Sequence, residues 1–251
     1  MGFDIIGDIA IFSTDIIKEE AEKLLREHKN IKVVLKKVKE FSGKYRLSKY
    51  EFVVGEKRKE TLYIESGIKL KLDVEKCYFS PRLNNERLRI AKQIKKGEDV
   101  LVMFSGVAPY PLVFANHSKA RMIFGIELNK TAHKYALENL RLNKFNNVVL
   151  YCGDVHDICK QFKKEKIKFD RIVMPLPKGA GDYLSDAFSV LKNKGLVHFY
   201  SFAGAEELDK LKGGIKAKCL KLKKKIKILK LVKCGQYAPR KFRVCVDFKI
   251  L

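Results

Sequence analysis

The spacing of apolar residues divides the chain into two regions with different periodicity. In the first region, residues 3–12 and 31–38 form short apolar runs with partial alternation, which is typical of half-buried strands. Thr14 or Asp15 can cap a helix between these two runs. Further strands are expected at 50–54, 61–64 and 68–72, the first two paired as a hairpin around Gly55. The pattern predicts a small α+β domain over residues 1–80.

In the second region, buried apolar runs alternate with helical patterns. This alternation is typical of a parallel sheet whose strands are joined by helices. Strands are expected at 99–104, 122–127, 148–152, 169–174 and 196–202, and helices at 85–95, 111–116, 130–143 and 181–191. The last two strands, 225–232 and 242–250, form a terminal hairpin, an addition typical of Rossmann-type methyltransferases rather than dehydrogenases. The pattern predicts an α/β, Rossmann-type domain over residues 81–251.

The charge of the chain narrows the class of partner. Lys and Arg number 53 against 29 acidic residues, a net charge of +24. A charge of this size favours a polyanionic partner, most simply nucleic acid. The alternative is an AT-rich genome, which raises the lysine content of every protein. No apolar run is long enough to span a bilayer and no signal peptide is evident, so we expect a cytoplasmic protein without membrane contact. No C-x-x-C pair is present, and we expect no metal site.

The strongest chemical signal is a glycine turn after one strand and an acid at the end of the next. Gly106 follows the 99–104 strand and lets the backbone approach a ligand closely. About 20 residues later, Glu127 ends the following strand, where a carboxylate can accept hydrogen bonds from both ribose hydroxyls of a nucleoside cofactor. Ala108 stands where a dinucleotide-binding loop has its second glycine, which favours S-adenosylmethionine (SAM) over NAD. The alternative is a tight turn beside a strand-end acid.

Two further loops follow the next strands of the predicted sheet. Asp154 and Val155 follow the 148–152 strand, and they can accept from the adenine amino group and donate a backbone N–H, respectively. A simple turn is the alternative for this Gly-Asp pair. Pro175 and Pro177 stiffen the loop after the 169–174 strand and remove two backbone donors. Such a loop can present carbonyls to a base, or it can only end the strand.

Six segments resemble the archaeal and eukaryotic tRNA guanine-37 N1-methyltransferase family. They are residues 3–10, 41–46, 78–87, 103–110, 174–178 and 237–240. The resemblance covers nearly the whole chain. It implies a class I SAM-dependent methyltransferase domain preceded by a small α+β domain, SAM as the cofactor, and tRNA, at its anticodon stem-loop, as the partner. The methyl acceptor is then N1 of guanine 37, and we expect a monomer.

The resemblance also assigns roles to individual residues. Glu86 matches the family's general base for the N1 proton. Its alternative is an i,i+3 partner of an arginine on a solvated helix. Arg46 matches an arginine that contacts the target base and can stabilise charge on O6, and Pro175 completes the catalytic set. The expected cofactor contacts are Arg87, Phe104, Ser105, Gly106, Val107, Glu127, Leu128, Asp154, Val155 and Pro175. The expected RNA contacts are Arg46, Arg82, Lys178, Tyr237 and Arg240.

The chain departs from the family in three places. Val102 stands where an aspartate is common, which weakens the expected contact to the methionine end of SAM. Pro175 replaces an asparagine whose amide can hold the guanine. Larger archaeal members carry an extra N-terminal domain that grips the tRNA elbow, and this chain begins at the second domain. We therefore expect the small domain and the basic surface to recognise the tRNA.

Two other functions remain open on the sequence. The wybutosine-pathway aminocarboxypropyl transferase shares the fold and transfers a different group from SAM to a modified guanine at the same position. Leu176-Pro177 favours methyl transfer. A non-catalytic RNA-binding module is the second alternative, supported by Val102, Ala108 and Pro175. Tyr110 can stack on a flipped base, although core packing is the simpler expectation for a lone aromatic residue.

Overall fold

A computed structural model describes residues 2–251, which form two compact units. Unit 1 contains the residues up to Pro81 together with Gly106–Pro109 and Asn129–Lys144. Unit 2 contains Arg82–Ser105, Tyr110–Leu128 and Phe145–Leu251. The units differ from the predicted division at residue 80 because two segments of the second region group with the first.

The strands, in chain order, are β1 Phe3–Ile6, β2 Ile9–Phe12, β3 Val33–Ser42, β4 Leu47–Gly55, β5 Glu60–Glu65, β6 Ile68–Asp73, β7 Asp99–Met103, β8 Met122–Glu127, β9 Val148–Cys152, β10 Phe169–Met174, β11 Leu191–Gly204, β12 Ile226–Ala238 and β13 Lys241–Ile250. The α-helices are α1 Lys18–Glu27, α2 Asn84–Ala91, α3 Pro109–His117, α4 Lys130–Asn143, α5 Val155–Lys164, α6 Leu184–Val190 and α7 Leu208–Lys221. None of the helices within residues 2–251 combines the length and the apolar character needed to cross a lipid bilayer.

Unit 1 contains a four-stranded sheet in the order β1-β2-β3-β4. All four residues of β2 are buried, because this strand lies inside the sheet between β1 and β3. A small core forms around Phe12, Val34 and Ala21 of α1. The predicted hairpin around Gly55 is wrong, since β4 pairs with β3 and β5 pairs with β6. The physical reason is the Ser66-Gly67 turn, where both residues have positive φ and match the twist of a two-residue hairpin.

Helix α4 belongs to unit 1 because two asparagines tie it to β6. Asn139 accepts from the Lys71 N–H at 2.7 Å and donates to the Lys71 carbonyl at 3.0 Å. One turn later, Asn143 repeats this pair of bonds with the backbone of Lys69. The two side-chain amides therefore occupy the edge of β6 as a neighbouring strand would. Asn139 also donates to the Val107 carbonyl, which brings 106–109 into the same unit.

Unit 2 is a seven-stranded sheet in the order β12-β13-β11-β10-β7-β8-β9. The five strands from β11 to β9 are parallel, and β13 and β12 add an antiparallel hairpin at one edge. Every residue of β7 is buried, as expected for a strand covered on both faces. The predicted fold class is therefore confirmed. The strand order reverses between β7 and β10, and in such sheets the ligand crevice lies at the carboxyl ends of these strands.

The two faces of the sheet in unit 2 bury different kinds of side chain, apolar on one face and charged or polar on the other. On β13, Val246 and Phe248 pack into the apolar core formed with α5, α6 and α7. The alternate positions Cys245 and Asp247 point to the opposite face, where Arg89 of α2 meets Asp247. Helices α5 and α7 were not predicted from the sequence.

Candidate functional site

The loop after β7 has an unusual backbone. Phe104, Gly106 and Ala108 all have positive φ, at 58°, 59° and 68°. This region costs a residue with a Cβ roughly 1–2 kcal/mol, so Phe104 and Ala108 are strained. Strain of this kind concentrates at ligand sites. Ala108, read from the sequence as a missing glycine, has a backbone conformation that glycine prefers.

The carboxyl ends of β7, β8 and β9 are joined by backbone hydrogen bonds. The Ser105 N–H donates to the Ile126 carbonyl at 2.8 Å, and the Gly153 N–H donates to the Glu127 carbonyl at 2.9 Å. Glu127 and Leu128 are only partly buried at the end of β8. The structure therefore brings four predicted cofactor residues of unit 2 to one edge of the sheet. They are Phe104, Ser105, Glu127 and Leu128.

Asp154 and Val155 lie at the start of α5. Asp154 is the N-cap, and its Oδ1 accepts from the His156 N–H at 2.9 Å. Val155 is buried in the apolar core. The capping role accounts for an acid at this position without any ligand. Because the capping role already explains this acid, the adenine contact stays a prediction.

The loop after β10 turns within three residues. The Leu176 N–H donates to the Met174 carbonyl at 2.8 Å, which closes a tight turn centred on Pro175. Pro175 is partly exposed, whereas Pro177 is buried. Pro175 therefore lies at the carboxyl end of β10, on the same edge of the sheet as Glu127.

Arg46 is a residue of unit 1, in the turn between β3 and β4. It has a positive φ of 52°, and its guanidinium lies 4.7 Å from the centre of the Tyr78 ring. Phe41 meets the same ring edge-on at 5.1 Å. The guanidinium is thus oriented against an aromatic face, as in a cation–π contact. Gly106 and Val107 also belong to unit 1, and Val107 is buried.

Glu86, the predicted general base, is a buried residue of α2 with several partners. Its carboxylate accepts from Arg89 Nε at 2.6 Å and from Arg89 Nη2 at 2.8 Å. Tyr200 donates its hydroxyl proton to Glu86 Oε1 at 2.7 Å, and Tyr110 in turn donates to Tyr200 at 3.1 Å. Burial raises the pKa of both tyrosines, so each remains a proton donor. The predicted i,i+3 arginine contact is present, but on a buried face rather than a solvated one.

Arg89 connects Glu86 to a second buried acid, Asp247. Its guanidinium donates to both Asp247 oxygens, at 2.6 and 3.2 Å. Asp247 also accepts from His198 Nδ1 at 2.6 Å, and Arg171 lies 2.7 Å from His198 Nε2. Because arginine can only donate, Nε2 must be the acceptor, and His198 is neutral with its proton on Nδ1.

The electrostatics of this network agree with its geometry. Burial lowers the pKa of His198, despite the opposing effect of Asp247. Burial alone would raise the pKa of Asp247, but hydrogen bonds from His198 and Arg89 hold it well below its ordinary range. Together with Cys245, these two side chains could form a metal-ligand set within 4.8 Å. The adjacent guanidinium groups of Arg89 and Arg171 oppose a cation there, and protein donors already use the acceptor atoms. We therefore interpret the group as a structural network.

The remaining predicted residues of unit 2 are distributed over its surface and core. Arg87 is only 1% exposed, with its guanidinium 5.7 Å from the centre of the Tyr110 ring. Tyr110 is buried, so the expectation of core packing is confirmed. Tyr237 is 47% exposed and packs against Phe202, with the ring centres 4.1 Å apart and the rings tilted by 42°. The predicted RNA contacts Arg82, Lys178 and Arg240 are exposed.

Arg89 is one of the arginines that the sequence offered as an i,i+3 partner of Glu86, but four members of the buried network were not predicted: Arg171, His198, Tyr200 and Asp247. A signal for three of them was available. Arg171, His198 and Asp247 each interrupt an apolar run that reads as a buried strand. A charged or titratable residue in such a run requires a buried partner.

Both regions of the chain match known protein families. Residues 61–229 match the TRM5/TYW2 methyltransferase domain, and residues 1–58 match the TYW2 N-terminal domain. The chain belongs to the TRM5/TYW2 methyltransferase family. The predicted family resemblance is confirmed.

Two curated relatives match nearly the whole chain. The chain is 38% identical to the tRNA (guanine(37)-N(1))-methyltransferase Trm5b of Pyrococcus abyssi, over 99% of this chain and 74% of that protein. It is 30% identical to the tRNA(Phe) (4-demethylwyosine(37)-C(7)) aminocarboxypropyltransferase of Methanocaldococcus jannaschii, over 97% of this chain and 96% of that protein.

Solved structures of the TRM5/TYW2 family share the fold. The complex of aTrm5 with tRNALeu superposes with a TM-score of 0.85 at 29% identity, covering 100% of this chain and 72% of that one. The M. jannaschii TYW2 structure, in complex with AdoMet, superposes with a TM-score of 0.76 at 26% identity, covering 99% of each chain.

Proposed function

We propose that this protein transfers a methyl group from SAM to N1 of guanine 37 in tRNA, next to the anticodon. The observation that carries the proposal is the 38% identity to Trm5b across 99% of this chain. The crevice residues fit the cofactor. Glu127 provides a partly exposed carboxylate for the ribose hydroxyls, Phe104 and Leu128 provide apolar surface, and the strained loop allows close backbone approach.

The side chains of the protein have to position the base and remove one proton. SAM, when bound, supplies a methyl group on a positively charged sulfur, which leaves as a neutral thioether. As guanine N1 forms its new bond to carbon, the N1 proton must leave, and we assign Glu86 as its acceptor. Arg89 orients the Glu86 carboxylate through two hydrogen bonds, at 2.6 and 2.8 Å. Arg46 stabilises the charge that develops on O6.

We assign the remaining predicted residues to binding. Gly106, Val107 and Ser105 shape the loop for the methionine end of SAM, with Arg87 behind it in the core. Asp154 and Val155 border the adenine, and Pro175 presents its carbonyl to the guanine. Exposed cations contact tRNA phosphates, and Tyr237 offers an aromatic face to a base. These cations are Arg82, Lys178 and Arg240.

Transfer of the aminocarboxypropyl group is a second candidate. Residues 1–58 match the TYW2 N-terminal domain, and this observation favours it. The two reactions differ in which carbon of the sulfonium faces the acceptor. Incubating tRNA with methyl-labelled or carboxyl-labelled SAM separates them, because only one label enters the RNA.

Mass spectrometry of nucleosides from treated tRNA tests the primary proposal. Unmodified tRNA incubated with the protein and SAM is expected to gain 1-methylguanosine at position 37. A transcript that carries adenosine in place of guanine 37 is the matched control, because it lacks only the acceptor. Methylation of both transcripts, or of neither, would refute the assignment.

A further inference from the structure

The basic residues of unit 2 are concentrated in its last 44 residues. Between Leu208 and Leu251 there are 15 Lys and Arg but only 2 acids, a net charge of +13 out of +24 for the whole chain. One of these acids, Asp247, is buried. By contrast, residues 145–207 contain 9 basic and 8 acidic residues. This stretch therefore holds more than half of the net charge of the protein.

Seven lysines of this stretch are exposed to solvent. Within the described part of the chain, none of them forms an ion pair with a carboxylate. They are Lys216, Lys221, Lys223, Lys225, Lys227, Lys230 and Lys233. We call them the lysine surface. In unit 1, seven lysines face carboxylates: Lys18, Lys23, Lys36, Lys37, Lys59, Lys71 and Lys76.

The lysine surface follows continuous elements of unit 2. It begins on α7, passes through the turn after that helix and continues along β12, the edge strand of the sheet. Lys227 and Lys230 pair with Lys249 and Asp247, two positions apart on β13, and project from one face of the sheet, whereas Lys233 pairs with Val244 and projects from the other face. From Lys227 to Lys233 the strand covers about 20 Å at roughly 3.3 Å per residue.

The register shows where the lysine surface leads. Ala238, at the end of β12, pairs with Lys241, and Lys241 pairs with Gly204 at the carboxyl end of β11. Because β11 is parallel to β10 and β7, β12 runs toward the edge of the sheet that holds Pro175. The row of cations therefore leads to the candidate site and to Tyr237.

Two simpler explanations do not account for this distribution. A lysine-rich genome raises the lysine content throughout, and residues 145–207 do contain 8 lysines, but it does not explain why residues 208–251 have only 2 acids where residues 145–207 have 8. Lysines on an edge strand also prevent sheets from pairing edge to edge. That role explains Lys227 and Lys230, but it does not explain Lys216 and Lys221 on α7.

We propose that the lysine surface binds the phosphate backbone of a helical stem of the tRNA and guides the nucleotide to be modified toward the carboxyl edge of the sheet. The inference rests on the proposed function for the identity of the RNA. Binding to phosphates costs these exposed lysines little free energy, because no ion pair has to be broken first. Release of counterions from each neutralised phosphate then provides the driving force.

The test compares two triple variants that remove the same charge from unit 2. K221Q/K225Q/K230Q neutralises the lysine surface. K160Q/K163Q/K164Q neutralises three exposed lysines of α5, where acids are interspersed. Binding of fluorescent tRNA is measured from 50 to 300 mM KCl, with SAM affinity and thermal unfolding as checks of folding.

The lysine-surface variant is expected to lower the salt slope of log Kd by about 3, roughly one per lost phosphate contact. At 100 mM KCl, its tRNA affinity is expected to fall roughly tenfold to a hundredfold, and the α5 variant should stay near wild type. Equal losses in both variants, or a wild-type slope in the lysine-surface variant, would overturn the proposal.

The same experiment separates this inference from the proposed function. If the wild type forms no 1-methylguanosine, the function fails, but the salt slopes still decide the docking surface. If the wild type methylates tRNA while K221Q/K225Q/K230Q keeps its KM for tRNA, only the docking inference fails.

Discussion

Glu86→Gln tests the chemical assignment most directly, because the structure fixes the environment of this side chain. Gln keeps the length and one acceptor oxygen but replaces the other oxygen with a donor. Arg89 and Tyr200 both donate to Glu86, so the new amide meets a donor on at least one side. The change removes a charged hydrogen-bond partner in a buried position.

The cost to stability follows from these contacts. Loss of a charged hydrogen bond costs roughly 1.5–3 kcal/mol. Leaving a buried charge without any partner costs about 3–5 kcal/mol. Arg89 keeps Asp247 at 2.6 and 3.2 Å, so the smaller figure applies. The cost to turnover is independent of this, because a general base contributes roughly 10²–10⁴ to the rate.

Asp247→Asn is the matched control for Glu86→Gln. It removes one carboxylate from the same arginine, also in a buried position, but we assign Asp247 no proton transfer. Single-turnover methylation at saturating SAM and tRNA, with thermal unfolding in parallel, compares the two variants. Glu86→Gln is expected to lower the rate at least a hundredfold, and Asp247→Asn by less than about tenfold.

Two results would contradict this reasoning. Wild-type turnover in Glu86→Gln would remove Glu86 from proton transfer. Equal rate losses in both variants, tracking their stability, would show that Glu86 only anchors Arg89 in the buried network.

Three further predictions use other parts of the chain. Glu127→Ala should weaken SAM binding in titration calorimetry by roughly 1.5–3 kcal/mol, whereas Glu165→Ala, an exposed control on the same unit, should not. Because the pKa values of His198 and Asp247 are both lowered in the folded state, the unfolded chain binds more protons in acid, so stability should fall below about pH 6.5 and further below about pH 4. Thermal unfolding across this range checks it, and His198→Gln should flatten the first step. Finally, Gly106→Ala should destabilise the loop by roughly 1–2 kcal/mol, because its φ is 59°; an unchanged melting temperature would show that the loop adapts.

The parallel sheet was predictable because its strands are buried on both faces. A short apolar run rich in β-branched residues, such as that of β7, favours a buried strand over a helix at that length. The hairpin of β5 was mispaired because the Ser66-Gly67 turn is a weaker signal than Gly55 in isolation. Helix α7 was missed because it carries two adjacent glycines, Gly213 and Gly214, which lower helix propensity.

The site was predictable where one loop or one strand end carries the chemistry. Gly106 and Glu127 follow from local spacing, and the structure places Glu127 at the end of β8. The i,i+3 arginine partner of Glu86 followed from the sequence, but Tyr200 and the Asp247 partner of Arg89 did not, because they lie 114 and 161 residues away from Glu86 along the chain. Only the pairing of β11 with β13 brings those two strands under α2.

The buried network of Arg89, Asp247, His198 and Arg171 holds Glu86 in place. Arg89 holds Glu86 and Asp247 holds Arg89, and the proton on His198 Nδ1 decides whether Asp247 also accepts a hydrogen bond from that histidine. Arg171 fixes that proton by occupying Nε2. A buried charge pair stabilises little by itself but becomes costly when one partner is lost. The strands β10, β11 and β13 therefore have to keep their mutual register for the Glu86 carboxylate to keep a fixed orientation, which couples the central sheet to the chemistry at its edge.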